Sequence, residues 1–195
     1  MSGARPETWR RTVEPAQLAI SLTSDLKPFI RIPGTDTALD TLNANLIAAA
    51  TDWAEGYMGR ALITQTWLYG YRRFPDGPDF LLAAPLVSTG LTVKYYDDTN
   101  TLQTVAASIY TVDTEAQPGR VSLNLYQIWP AVVLAQRPDA VQITFTAGYG
   151  ATSDSVPTLI RMAIALLAAQ WLDDPSSAPG AAVMAALAPY RIKWF

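Results

Sequence analysis

Between Asp36 and Trp67 the apolar positions of this chain change period. Leu39, Leu42, Leu46, Ala50, Trp53 and Tyr57 recur at steps of three and four, the spacing of one face of an α-helix. Gly59 stands where a left-handed residue closes the last helical turn. Ile63, Trp67, Tyr69 and Tyr71 then share one parity while Thr64 and Thr66 take the other, which is the period of a strand. The pattern predicts a helix over residues 37–58, capped by Asp36 or Thr37, that hands straight over to a sheet.

Ahead of this helix, Thr23 is positioned to cap a short turn through Leu26, and Phe29, Ile30 and Ile32 read as an apolar plug before Pro33-Gly34. After it, strand-like runs alternate with turn signals as far as Gly148. Leu91, Val93 and Tyr95 alternate with polar neighbours, Asp97-Asp98-Thr99-Asn100 makes a hairpin turn, and Tyr110 with Val112, Val121 with Leu123, and Val141 with Ile143 and Phe145 follow. An antiparallel β-meander is the simplest arrangement of these runs. The connection from Gln127 to Pro138, with Trp129-Pro130 inside it, is long enough to be a surface excursion and an interaction loop.

The helical period returns at Ile160, Ile164, Leu167 and Trp171, predicting a helix over 156–173, and an alanine-rich stretch between Pro179 and Pro189 predicts a short one over 180–188. The fold class is α+β: a helical core with an inserted antiparallel β region. The expected divisions are a flexible N-terminal arm over 1–14, a helical part over 15–62, a β insertion over 63–148, a second helical part over 149–189, and a docking tail over 190–195.

Composition narrows the chemistry. The chain has 195 residues, half of them hydrophobic, with no cysteine and no histidine. Disulfides, thiolate zinc sites, cysteine nucleophiles and the commonest general base and metal ligand are removed together. We therefore expect no catalytic residue, no cofactor and no metal. Asp97, Asp98 and Asn100 lack the 12-residue loop and closing glutamate of a calcium site and read as a solvated turn; Asp173-Asp174 reads as a helix end. Gly148 and Gly150 lack the third glycine of a dinucleotide loop, and no Gly-Lys-Ser/Thr occurs.

No apolar run approaches the roughly 20 residues that span a bilayer, and the N-terminal arginines precede no apolar segment, so neither membrane contact nor a signal peptide is expected. Net charge is −3, with arginine outnumbering lysine 11 to 3. That balance does not suit a general DNA binder but does suit polar protein interfaces. The final residues Tyr190, Arg191, Ile192, Lys193, Trp194 and Phe195 are cationic and aromatic, and a tail of that composition is expected to dock, either back on its own domain or by anchoring in a protein partner.

The order of these features resembles the head-tail connector, or adaptor, proteins of tailed bacteriophages, prophages and gene transfer agents. The resemblance is carried by Leu22-Thr23, by Phe29-Ile30-Arg31-Ile32, by Asp40 with Leu46 to Thr51, and by the run from Ala54 to Trp67. It continues through Phe74-Pro75, Pro85-Leu86, Tyr110, the segment Thr144-Phe145-Thr146-Ala147-Gly148-Tyr149-Gly150, Val156-Pro157 with Ile160-Arg161, and the closing Leu187-Ala188-Pro189-Tyr190-Arg191. It covers residues 15 to 195, and its specificity lies in the combination and order of the elements.

What the resemblance implies is a structural role. Such proteins bind beneath the portal as a ring, generally twelvefold, extend the DNA channel and link the capsid to the next neck or tail-completion protein. It implies a place in the virion neck, and in the host cytoplasm during assembly, with packaged DNA passing through without sequence-specific binding. On that reading Tyr190 to Phe195 grip the portal, and Leu39, Leu42, Leu46, Trp53 and Tyr57 serve as subunit contact or core. A DNA-binding neck factor using the arginine-rich arm, and a carboxylate-dependent glycosidase, are the alternatives from other classes.

Overall fold

The switch of period near Gly59 is a switch of folding unit. In the computed structural model, which describes residues 6–87 and 89–192, the chain divides into two compact units. One is formed by Pro15–Thr64 and Tyr149–Ile192; the other is built on Gln65–Gly148 together with the described residues before Pro15.

The first unit is helical. A π-helical turn over Leu22–Leu26, with the Ser21 hydroxyl accepting from the Ser24 amide, runs into a single turn α1 (Lys27–Phe29). The long helix α2 (Asp40–Met58) ends at Gly59, whose φ of 70° is the left-handed stop that its position suggested. Helix α3 (Thr158–Asp173) packs against α2, and the short α4 (Ala181–Leu187) packs against α3. Ile160, Ile164 and Leu167 of α3 are fully buried, while Trp171 is half-buried with its indole N–H donating to the Ser177 carbonyl at 3.1 Å. Around them close Ile20, Leu26, Leu62, Ile63, Val156 and Leu187. Of the expected plug, Ile30 packs on this core but Phe29 is exposed.

The core face of α2 is one position away from the stripe read in the sequence. Asn43, Ile47, Ala50, Ala54 and Met58 are buried. Leu46, Trp53 and Tyr57 are half-buried at the edge of the core, and Leu39 and Leu42 are each 46% exposed. The buried face carries an asparagine and two alanines, so its apolar signal is weaker than that of the neighbouring face with three leucines and two aromatics. Small residues allow close packing between helices, whereas the large ones flank it.

The second unit is all β. A five-stranded sheet runs in the order β1 (Thr8–Val13), β2 (Gln65–Tyr71), β8 (Val141–Ala147), β4 (Thr92–Tyr96), β5 (Leu102–Thr104), with every pair antiparallel. A three-stranded sheet is ordered β3 (Asp79–Leu82), β7 (Gly119–Leu123), β6 (Tyr110–Asp113). Two expectations are corrected here. The strands do not form a meander, because β8 inserts between β2 and β4; its Val141, Ile143, Phe145 and Ala147 are all fully buried, which suits a strand paired on both sides. The N-terminal arm is not a flexible tail over its described residues, since Thr8–Val13 forms the edge strand, with Trp9 opposite Tyr69 and Arg11 opposite Trp67. The Arg11 guanidinium lies 5.1 Å from the centre of the Trp67 ring and the two indoles are 5.5 Å apart. Gly70 is what lets β1 lie here: a Cβ at that position would come within 2.2 Å of the Thr8 hydroxyl and 2.8 Å of the Asp139 side chain.

Aromatic rings fill the second unit. Tyr69 meets Phe145 edge-on at 4.8 Å, and Tyr71 meets Phe80 at 4.8 Å while its hydroxyl donates to the Leu81 carbonyl at 3.1 Å. Burial pushes both phenols well above the ordinary tyrosine range, so they act as neutral packing groups.

Candidate functional site

Three exposed regions carry the residues singled out in the sequence.

The first is the junction where α2 ends. Glu55 is buried and accepts the Leu62 amide on its Oε1 at 2.7 Å, which fixes the chain just after the helix. Arg60, also buried, donates to the Tyr190 carbonyl, and the Ile192 amide donates to the Met58 carbonyl at 2.8 Å. The Arg191 guanidinium lies 5.2 Å from the centre of the Tyr57 ring, itself stacked on Trp53 at 5.3 Å. Of the six residues expected to face a portal, Tyr190 is thus half-buried, Arg191 exposed and Ile192 buried against its own unit. Lys193, Trp194 and Phe195 lie outside the described residues.

The second is the start of α2, where Leu39 and Leu42 are exposed beside Asp36 and Thr41. No lysine or arginine occurs between Arg31 and Arg60, while Asp36, Asp40, Asp52 and Glu55 all do. This stretch of the unit is apolar and acidic.

The third is the long connection between β7 and β8. Leu125, Tyr126, Ile128 and Val133 are 77%, 92%, 74% and 73% exposed. In their midst Trp129 is buried, stacked on Phe74 at 5.6 Å, and it meets Phe80 at 5.0 Å and Tyr110 at 6.4 Å. The return of the loop is pinned to the β4–β5 hairpin: Leu134 bridges to Asp97, and the Ala135 amide donates to the Tyr96 carbonyl at 3.1 Å. Arg137 binds both oxygens of Asp139, at 2.5 and 2.9 Å, with its guanidinium 3.9 Å from the centre of the Tyr96 ring. That hydrogen-bonded cation holds the Asp139 carboxyl below the usual range. A cavity of about 480 Å³ opens here, lined by Arg72, Arg73 and Arg137 with Val132, Leu134 and Pro138.

The hairpin turn uses its own carboxylate. Asp97 accepts from the Thr99 hydroxyl at 2.6 Å, from the Gln103 amide group at 2.9 Å and from the Thr101 backbone amide at 2.9 Å. These bonds, the Thr99 hydroxyl foremost, lower its carboxyl from 3.8 to about 2. A depressed carboxyl supports the folded turn above its ordinary pKa and ceases to as pH falls. The Thr99 and Thr101 amide resonances should therefore shift as the pH drops from about 4 to about 2, and Asp97→Asn should abolish that titration. A midpoint near the ordinary 3.8 would show that the turn does not grip the carboxylate.

Among the described residues no group of three or more His, Cys, Asp or Glu is placed to hold a metal ion, and no helix is long and apolar enough to cross a membrane. The exposed loop was legible in the sequence as a long excursion. Its rigidity was not, because Trp129 finds Phe74, Phe80 and Tyr110 only through the sheet pairings.

No protein-family model matches the chain, and no curated protein matches it. Solved structures do. The chain is similar to one in the neck of an empty gene transfer agent particle computed with C6 symmetry, with a TM-score of 0.80, 21% identity, and coverage of 95% of this chain and 96% of that one. It is similar to one in the virion of a native gene transfer agent particle, with a TM-score of 0.75, 23% identity, and 95% of each chain covered. A third likeness, to a chain in the neck of a native particle computed with C12 symmetry, has a TM-score of 0.67, 23% identity, and coverage of 93% of this chain and 96% of that one. The shared feature is the α+β fold over nearly the whole length.

Proposed function

We propose that this chain is a structural neck protein of a phage-like or gene transfer agent particle: an adaptor that assembles as a ring beneath the portal, extends the DNA channel and links the capsid to the next neck component. The observation that carries this reading is the full-length likeness to chains in gene transfer agent necks and virions, two of the three described as necks computed with sixfold or twelvefold symmetry. The residues support a non-enzymatic role. The carboxylates with lowered pKa serve local structure: Asp97 holds a turn, Asp139 holds Arg137, and Asp174 accepts from the hydroxyl and amide of Ser176.

The tail from Tyr190 to Phe195 is the portal contact in this proposal. Residues 190–192 are seated on the end of α2 through the Arg60 and Met58 bonds, so the portal-facing work falls to Arg191 and to Lys193, Trp194 and Phe195, with Ile192 as the root. Each tail needs only modest affinity, because a ring engages the portal through many copies at once. Removing residues 193–195 leaves that root intact. The truncated protein is expected to remain folded but to be lost from purified heads, and electron microscopy of particles with the full chain is expected to show a ring at the portal vertex. A full-length chain absent from the neck would overturn the proposal, and a truncated chain retained on heads would overturn the tail assignment alone.

A further inference from the structure

The loop spanning 124–138, anchored through Trp129 and Leu134, presents five large apolar side chains beside a cavity lined by three arginines. Arg137 is committed to Asp139 and the Tyr96 ring, but the other two are held loosely. Arg72 meets Glu7 at 3.4 Å and Arg73 meets Asp76 at 3.2 Å, both arginine side chains being at least 70% exposed. Exposed pairs of this kind contribute little and exchange readily for another carboxylate. The surface therefore fits apolar side chains accompanied by acidic ones. A nucleic acid is the poorer match, since a polyphosphate backbone gains nothing from covering Leu125, Ile128 or Val133.

The chain itself carries a surface of the required kind. At the start of α2, Leu39 and Leu42 are exposed beside Asp36, on a stretch without a single lysine or arginine from residue 32 to residue 59. Leu39 and Leu42 are large apolar groups that their own chain leaves uncovered, and Asp36 is a carboxylate placed to meet Arg72 or Arg73. We infer that the loop 124–138 with its arginine-lined cavity docks the start of α2, at Leu39, Leu42 and Asp36, of a second copy of this chain. The two surfaces differ, so the contact is heterologous: each added copy offers the same free surface again, and the series closes into a ring when the rotation per copy permits. This inference rests on the ring reading above and names the surfaces that would form it.

The chain has no cysteine, so introduced thiols report on one pair of positions. Val133→Cys and Leu42→Cys are both at exposed sites outside the core. With a short bis-maleimide linker, the doubly substituted chain in purified particles is expected to give a ladder of multimers, while each single variant gives monomer. Arg72→Glu with Arg73→Glu should cut the crosslinked yield about tenfold, and adding Asp36→Arg should restore most of it, as paired charges across a contact do. Absence of the ladder in particles that contain the chain overturns the inference. So do dimers formed by Val133→Cys alone, crosslinks from the loop to a different protein, or a charge reversal without rescue. Absence of the chain from particles instead overturns the neck reading, and circular dichroism on each variant separates loss of contact from loss of fold.

Discussion

Replacing Lys27 by methionine should lower the unfolding free energy by about 3 kcal/mol, measured by urea unfolding. Lys27 is 1% exposed, and its ammonium donates to the Gly34 carbonyl at 3.2 Å and to the Asp36 carbonyl at 2.5 Å while pairing with Asp40 at 2.7 Å. Two carbonyls take hydrogen bonds from the ammonium and the Asp40 carboxylate balances its charge, which is how a buried lysine is tolerated. Methionine keeps the stem in the core but leaves the Asp40 carboxylate and two carbonyls without a donor. The loss falls at the low end of the range for broken buried pairs because Asp40 is 33% exposed and water solvates it in part. Adding Asp40→Leu should recover about 1 to 2 kcal/mol, since one unpaired charge is removed. A single-variant cost below about 1 kcal/mol would mean that the ion pair is solvated in both states. The effect reaches the proposed docking surface, because Lys27 ties down the turn before α2 that carries Asp36 and leads into Leu39.

The second large effect is expected at Trp129. Truncation to alanine should cost about 3 to 5 kcal/mol, the range for buried aromatic-to-alanine changes, and should free the loop it anchors. Trp129→Phe should retain most of the stability, because the indole N–H has no hydrogen-bond partner among the described residues and the contacts with Phe74, Phe80 and Tyr110 are made by ring faces and edges. Two readouts distinguish packing from presentation. Thermal unfolding reports the first, and hydrogen exchange at the Ala135 amide, bonded to the Tyr96 carbonyl, reports the second. If Trp129→Ala leaves exchange at Ala135 unchanged, the loop is held by Arg137 and the Leu134 bridge instead.

The helices were legible because their signals are local. Gly59 ends α2 by a backbone preference written in one residue, and the stripe of Ile160, Ile164 and Leu167 on α3 is buried as read. The α2 stripe misled at its margin: Leu39 and Leu42 were grouped with Leu46, yet only Leu46 packs on the core. Periodicity reports which residues share a face, but the neighbouring helix decides which of two adjacent faces is covered. Asn43 shows the limit most plainly, since its buried side chain has neither polar atom partnered among the described residues and no pattern would have put it inside. The tail shows the same limit, because nothing local to Ile192 announces that its amide reaches Met58.

Taken alone, the amino-acid order determined the α+β class, the helix-to-strand switch after Gly59, the turn at Asp97, the unusual loop around Trp129 and the poverty of catalytic groups. These follow from backbone preferences and side-chain chemistry acting over a few residues. The tertiary structure decided the rest: that the N-terminal segment is an edge strand, that β8 enters between β2 and β4, that Trp129 fastens its loop, and that Leu39 and Leu42 face outward. The pairing of β2 with β8 joins Trp67 to Phe145 and Tyr69 to Ile143 across a long intervening chain. Such register is set by mutual burial of residues far apart in sequence, which no local pattern contains.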